Sequence, residues 1–157
     1  MALDRRQENK EKTEGERKRI LVGISGASGI PVALEVWKQM ESYKEIEKSL
    51  LGRKITARLQ FLDEGLNVLF TGGEKSHIGA VSGRVPGQEP VDIEFPGHRE
   101  GNLAAQWAEE LYRSWKIPVW VECGIHYENL SKEGIRQVLE VCREMLEEIL
   151  AWRLENH

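Results

Sequence analysis

Apolar and polar residues along this chain fall into blocks of two different periods, and the blocks predict its elements. Residues 1–18 hold almost nothing apolar beyond Met1, Ala2 and Leu3. Such a segment cannot bury a face, and a charged tail is expected. Residues 19–24 (RILVGI) form a short apolar run suited to a buried parallel strand. From 30 to about 51, Val32, Val36, Met40, Tyr43, Ile46 and Leu50 recur at three- and four-residue steps. That period predicts a helix, with Pro31 in its first turn and Gly52 as its stop.

A second block begins near Lys54. Ile55, Ala57, Leu59 and Phe61 alternate with Thr56, Arg58 and Gln60, the period of a strand. Asp63-Glu64-Gly65 signals a turn, and 66–71 reads as the returning strand of a hairpin. After the polar stretch Gly72-Gly73-Glu74-Lys75-Ser76, strands are expected at 77–85 and 91–95, each closed by Pro-Gly. Leu103, Trp107, Ala108, Leu111 and Trp115 make the apolar stripe of a helix over 100–115. A fifth strand follows at 118–123, and Ser131 is a suitable N-cap for a long final helix. Four strands joined by short turns predict a meander with two helices packed on one face. The expected fold class is therefore α+β: an antiparallel sheet in the order ββββαβα over 53–157, preceded by a βα segment at 19–52.

Composition narrows the classes. The chain has 157 residues, 40% hydrophobic and 31% charged, enough for one packed domain. A net charge of -4 argues against a general nucleic-acid partner or an acidic membrane surface. No apolar run approaches the roughly 18–20 residues of a membrane span. The first residues lack the apolar stretch of a signal peptide, so a cytoplasmic location is expected. Cys123 and Cys142 read as reduced, buried fillers. Of the five tryptophans, Trp107 and Trp115 share a helical stripe and belong to the core. Trp120 is out of phase with Val119 and Val121, which assigns it to the second sheet face or to a partner.

Two stretches carry candidate chemistry. The first is KRILVGISGASG at 18–29, where a strand feeds a glycine loop and a helix leaves it. Small residues let backbone N–H groups approach an anion, the helix N-terminus adds positive potential, and Ser25 and Ser28 add hydroxyl donors. This string resembles the opening strand and loop of flavin prenyltransferases of the UbiX type. The resemblance implies a contribution of Ser25 and Ser28 to an FMN site. The later elements of that family are missing here, which fits a truncated remnant of a flavin-binding unit rather than prenyl transfer.

The second stretch is a set of three histidines in short glycine-containing motifs at expected strand ends: GGEKSHIGA (72–80), FPGHRE (95–100) and GIHYEN (124–129). Strand ends of one sheet bring distant segments to one edge, where loops commonly carry function. Neutral imidazoles at His77, His98 and His126 suit zinc, iron, nickel or copper, so a three-histidine metal site is one expectation. Glu74, Glu100 or Glu128 would orient a ring through its second nitrogen. Lys75 and Arg99 are candidate phosphate contacts, one a point charge and the other a fork. A plainer reading stays open. Gly72 and Gly73 also suit a bulge, and Glu74 and Lys75 a solvated turn.

TGGEKSHIGAV, FPGHREGNLA and GIHYENLSKEGI, in this order and spacing, resemble the LpdD-like family, over about 54–154. Ser76 stands where the family motif has proline, with the histidine spacing intact. The resemblance implies a proteasome-assembly-chaperone-like α+β domain that commonly pairs as a homodimer. It also implies prenylated FMN as ligand, a UbiD-type decarboxylase as client and a flavin prenyltransferase as source. The implied cofactor-binding set is Gly72, Gly73, Glu74, Lys75, His77, His98, Arg99 and His126, with Ser25 and Ser28 from the first stretch. The leading reading is a non-enzymatic chaperone that protects and delivers prenylated FMN. The rivals are a metal-dependent oxidase or hydrolase on His77, His98 and His126, and a ligand-free accessory subunit of a decarboxylase.

Overall fold

A computed structural model describes residues 42–156. Ser25, Ser28 and the glycine loop around them, with the strand and most of the helix expected at 19–51, lie outside the described residues. Within them the chain runs β1 (Tyr43–Leu50), β2 (Arg53–Leu62), β3 (Gly65–Gly73), β4 (Lys75–Arg84), β5 (Val91–Glu94), α1 (Gly101–Trp115), β6 (Val119–His126) and α2 (Lys132–Asn156). The α+β class is as expected, with one six-stranded sheet and two helices.

Two expectations are corrected. Residues 43–50 do not end a helix; they are β1, paired along its whole length with β2 through a two-residue turn at Leu51-Gly52. β1 therefore belongs to the same sheet as the elements after residue 53. Its helix-facing positions alternate as Lys44, Ile46, Lys48 and Leu50, so half of that face is lysine. The stems reach over α2 instead of exposing their heads at the core: Lys44 Nζ lies 5.3 Å from the Trp152 ring centroid, and Lys48 pairs with Glu148 at 3.1 Å. Lysines used this way hide a period of two behind an apparent period of 3.6.

The meander is the second correction. The strand order is β1-β2-β3-β6-β4-β5. β6 inserts between β3 and β4, parallel to β3 and antiparallel to β4. Glu74 alone separates β3 from β4, and it crosses the end of β6, donating its N–H to the His126 carbonyl at 2.7 Å. Nothing in the local turn chemistry announces a strand that arrives 45 residues later, because the inserted strand is selected by its apolar run and by the space left under the helices.

One face of the sheet carries the core. Ile55, Leu59, Val68, Phe70, Val121 and Cys123 are fully buried there, beneath Ala104, Trp107, Ala108 and Leu111 of α1 and Cys142, Met145 and Ile149 of α2. The α1 residues are spaced three and four apart, as a buried stripe requires. Trp107 stacks on Phe70 with centroids 4.1 Å apart and planes inclined 17°. Burying each such side chain contributes about 1.5–3 kcal/mol before entropy is counted. α1 stops at Lys116, left-handed at φ 57°, whose N–H returns to the Tyr112 carbonyl. Ser131 caps α2 as expected, its Oγ accepting the Gly134 N–H at 3.0 Å. Both cysteines are free and buried; burial pushes the Cys123 thiol up and that of Cys142 up to about 12, which suits fillers rather than nucleophiles. Trp120 points to the opposite, open face, 39% exposed, its ring over Gly83. No helix among the described residues is long and apolar enough to cross a membrane.

Arg84, on the covered face, locks β4 to its neighbours. Its Nη1 donates to Asp92 Oδ1 of β5 at 2.9 Å and its Nε to Glu109 Oε2 of α1 at 2.9 Å. This clamp holds both sides of the 95–100 turn, which leads from β5 into α1.

Candidate functional site

The three histidine motifs meet where β6 ends and β4 begins. His126 closes β6, His77 is the third residue of β4, and His98 arrives on a tight turn. In that turn Pro96 and Gly97 occupy the central positions, Gly97 has φ 83°, and the His98 N–H returns to the Phe95 carbonyl at 3.1 Å. Proline followed by a residue with positive φ is the signature of a type II turn. The ring centroids of His77 and His98 are 4.9 Å apart, and those of His77 and His126 are 6.2 Å apart, edge to face at 80°.

The glycines explain why the motifs look alike. A side chain at Gly73 would run into the His126 carbonyl, and one at Gly124 into the His77 carbonyl. A Cβ at Gly79 would lie 2.7 Å from the His98 ring and 2.7 Å from the Glu100 carboxylate. Each glycine thus makes room for the histidine of a different motif. The register of β4 against β6 is broken between Ser76 and Ala80, and this irregular start folds the His77 backbone over Gly124. A bulge is a common device for re-aiming a side chain at a site.

Hydrogen bonds fix the rings. Pro96 O and Lys75 O can only accept, so His98 Nδ1 donates to the former at 3.1 Å and His77 Nδ1 faces the latter at 3.2 Å. His77 Nε2 contacts Glu100 Oε1 at 3.1 Å, while Glu100 Oε2 accepts the Arg99 N–H at 2.8 Å. A carboxylate only accepts, so both ring nitrogens of His77 face acceptors, Lys75 O and Glu100 Oε1; a neutral ring donates to one of them, and both edges are engaged within the fold. His98, with the proton on Nδ1, keeps a lone pair on Nε2. Among the described residues no group of three or more His, Cys, Asp or Glu side chains is arranged to hold a metal ion. Of the three carboxylates weighed as orienting groups, Glu100 makes the contact to a histidine; Glu128 pairs with Lys75 at 3.6 Å.

Beside the cluster opens a cleft of about 470 Å³ between the 97–100 turn, the end of β6 and α2. His98, Arg99, Glu100 and His126 line one part of it; Leu103, Ile125, Leu130, Ile135, Val138 and Leu139 form its apolar wall, with Tyr127 between. Arg99 makes no ion pair among the described residues. A mostly apolar concavity with a few convergent polar groups is the usual form of a small-molecule site, and this volume is within its usual range.

The structure therefore divides the residues expected from the sequence. His98, Arg99 and His126 line the cleft, and His77 stands behind them in ring contact. Gly72 and Gly73 line a separate polar groove of about 570 Å³ on the open face, with Arg53, Lys54, Arg58 and Ser76. Glu74 and Lys75 line neither. The apolar wall contributed by α2 was missed as a site feature. Its signal was present: Ile135 and Leu139 are half exposed, on an amphipathic helix whose apolar stripe is wider than its core contact needs.

The model of the prenylated flavin chaperone LpdD-like domain matches residues 50–153. The chain is 24% identical over 111 residues to Protein LpdD of Lactiplantibacillus plantarum, spanning 68% of this chain and 81% of that protein. A solved structure described as a novel chaperone complex for yeast 20S proteasome assembly superposes with a TM-score of 0.45 and 12% identity, over 69% of this chain and 95% of that one. With two thirds of its length under the family model and all three histidine motifs inside that span, the chain belongs to the LpdD-like family of prenylated flavin chaperones.

Proposed function

We propose that the protein binds prenylated FMN in the cleft beside the histidine cluster, protects it, and delivers it to a UbiD-type decarboxylase. The observation that carries this reading is the composition of the cleft. An apolar wall of about six side chains suits a tricyclic ring system with a hydrocarbon appendage, and the Arg99 guanidinium suits a phosphate. The His98 Nε2 lone pair accepts a hydrogen bond from a reduced flavin ring, whose nitrogens carry protons. His126 adds a further polar contact at the same end. Family membership supports the ligand class. The cleft is open to solvent along α2, as a carrier that must release its ligand requires.

Handover to the decarboxylase, supply by a flavin prenyltransferase, self-association and a cytoplasmic setting belong to the same proposal. No step in it passes through a metal. Ligation by His77, His98 and His126 together would require a ring nitrogen of His77 to give up Lys75 O or Glu100.

Anaerobic titration with reduced prenylated FMN, and with FMN as reference, tests the reading. Saturable binding of the prenylated form, weakened in His98→Ala and Arg99→Ala, is expected. Mixing the loaded protein with cofactor-free decarboxylase is then expected to restore decarboxylation. Absence of binding by the wild-type protein overturns the proposal.

A further inference from the structure

We infer that Glu100 is the positioning residue of the histidine cluster. Its side chain holds His77 and the Arg99 backbone in one geometry, and Gly79 is the space that lets it do so. The inference rests on the reading that the cleft takes the flavin, and it extends that reading to a residue that acts through its neighbours.

Glu100 is unusual in three respects. It is an acid on the sheet side of a helix start, and its side chain is only 13% exposed. Its two oxygens are divided between different segments, Oε1 to His77 Nε2 of β4 and Oε2 to the Arg99 N–H of the preceding turn. Its own carbonyl accepts the Ala104 N–H, the first hydrogen bond of α1. One residue therefore ties the turn carrying His98 and Arg99 to the strand carrying His77 and to the helix behind both. The carboxylate reaches the strand because residue 79 has no side chain; a Cβ there would lie 2.7 Å from Glu100 Oε2. Helix capping does not account for this placement, since the Glu100 side chain makes no cap hydrogen bond to α1, and Glu94 Oε2 takes the Gly101 N–H at 2.8 Å. Where a histidine holds a metal, removing the carboxylate that orients it through its ring N–H typically costs about 10–100-fold in affinity, and Glu100 stands in the same relation to His77.

The test combines two readouts on folded variants. Long-range proton–nitrogen NMR of the ligand-free protein reports which ring nitrogen of His77 carries the held proton. In the wild type an Nε2–H protected from exchange is expected; Glu100→Ala loses it, with the melting temperature as a check on folding. Glu100→Gln keeps an oxygen for the Arg99 N–H and turns its amide N–H toward His77, which moves the ring proton to Nδ1 opposite Lys75 O. Affinity for reduced prenylated FMN is expected to fall about 10–100-fold in Glu100→Ala and less in Glu100→Gln. Gly79→Ala, which removes no polar group but crowds the Glu100 carboxylate and the His98 ring, is expected to lose affinity together with the Nε2–H signal. An unchanged His77 ring spectrum in Glu100→Ala, or an unchanged affinity in both Glu100 variants, overturns the inference. Should the wild type take no flavin, the proposed function fails, while the ring spectrum still decides the role of Glu100.

Discussion

Two polar clamps join β4 to α1, and they are built on opposite terms. At one end Arg84 is held by Asp92 and Glu109; at the other His77 is held by Glu100. Arginine is charged at every accessible pH, and its planar fork fits two carboxylates at once. Its side chain is only 9% exposed, and its donors go to Glu109, Asp92 and the Gly83 carbonyl. The histidine clamp has one hydrogen bond where the arginine clamp has several. It stands against two further imidazoles and opens on an apolar cleft. The first clamp has the composition of a structural lock, and the second has that of a site whose parts must still meet a ligand. The shared geometry also shows that a buried ion pair or a His–Glu contact does not declare its purpose alone. What surrounds it decides.

Four changes would break or sharpen this contrast. The largest effect is expected from Trp107→Ala, which removes the α1 ring stacked on Phe70. A loss of about 3–5 kcal/mol in chemical denaturation is expected. A loss below about 1 kcal/mol would mean that the clamps, rather than the core, hold α1 to the sheet.

Arg84→Ala comes next. Removing one member of a buried ion pair costs up to about 3–5 kcal/mol, but Asp92 and Glu109 are a third to a half exposed, so about 2 kcal/mol is expected. Flavin affinity should change little; an effect as large as that of Glu100→Ala would erase the distinction between the clamps. The same network predicts an acid limb. Partial burial pushes the Asp92 carboxyl up, but hydrogen bonding and charge from Arg84 outweigh it and leave the group below its usual range. Hydrogen bonding from Arg84, joined by the Arg113 charge, lowers Glu109 as well. Both carboxylates are stronger acids in the fold than in the unfolded chain. Their contribution is therefore fully present above about pH 5 and is lost as pH falls through the lowered values. Denaturation profiles between pH 6 and pH 2 should show that loss, and it should flatten in Arg84→Ala.

His98→Ala acts on the other clamp's side. A roughly tenfold weaker grip on reduced prenylated FMN, about 1.4 kcal/mol, is expected with little change in melting temperature. A stability loss without an affinity loss would make His98 a packing residue. The smallest effect, about 1 kcal/mol of stability with affinity preserved, is expected for Ser131→Ala, which removes the cap of α2. A large affinity loss there would show that the cleft depends on the exact seating of that helix.

Legibility in the sequence followed how local each signal was. The α1 stripe, the Ser131 cap, the Pro-Gly turn before His98 and the alternation in β2 all come from neighbours in the chain, and the structure has each of them. β1 was misread because Lys44 and Lys48 occupy inward positions with their stems, which no count of apolar residues registers. The candidate site was half legible. Three histidines in glycine-bearing motifs marked the segments that meet, but the spacing carried no sign that Gly72 and Gly73 line a different groove. Nor did it show that Lys75 pairs with Glu128, or that α2 supplies the apolar wall.

Taken alone, the order of residues determined the element types after residue 53, the covered face of the sheet and the three motifs, since these depend on period, turn chemistry and side-chain type within a few positions. The tertiary structure decided that β6 lies between β3 and β4. That insertion brings the end of β6 beneath the turn into β4 and sets His126, His77, His98 and Glu100 around one point. Strand order is chosen by long-range burial and by the close backbone approaches that Gly73 and Gly124 permit, and those are properties of pairs of distant segments.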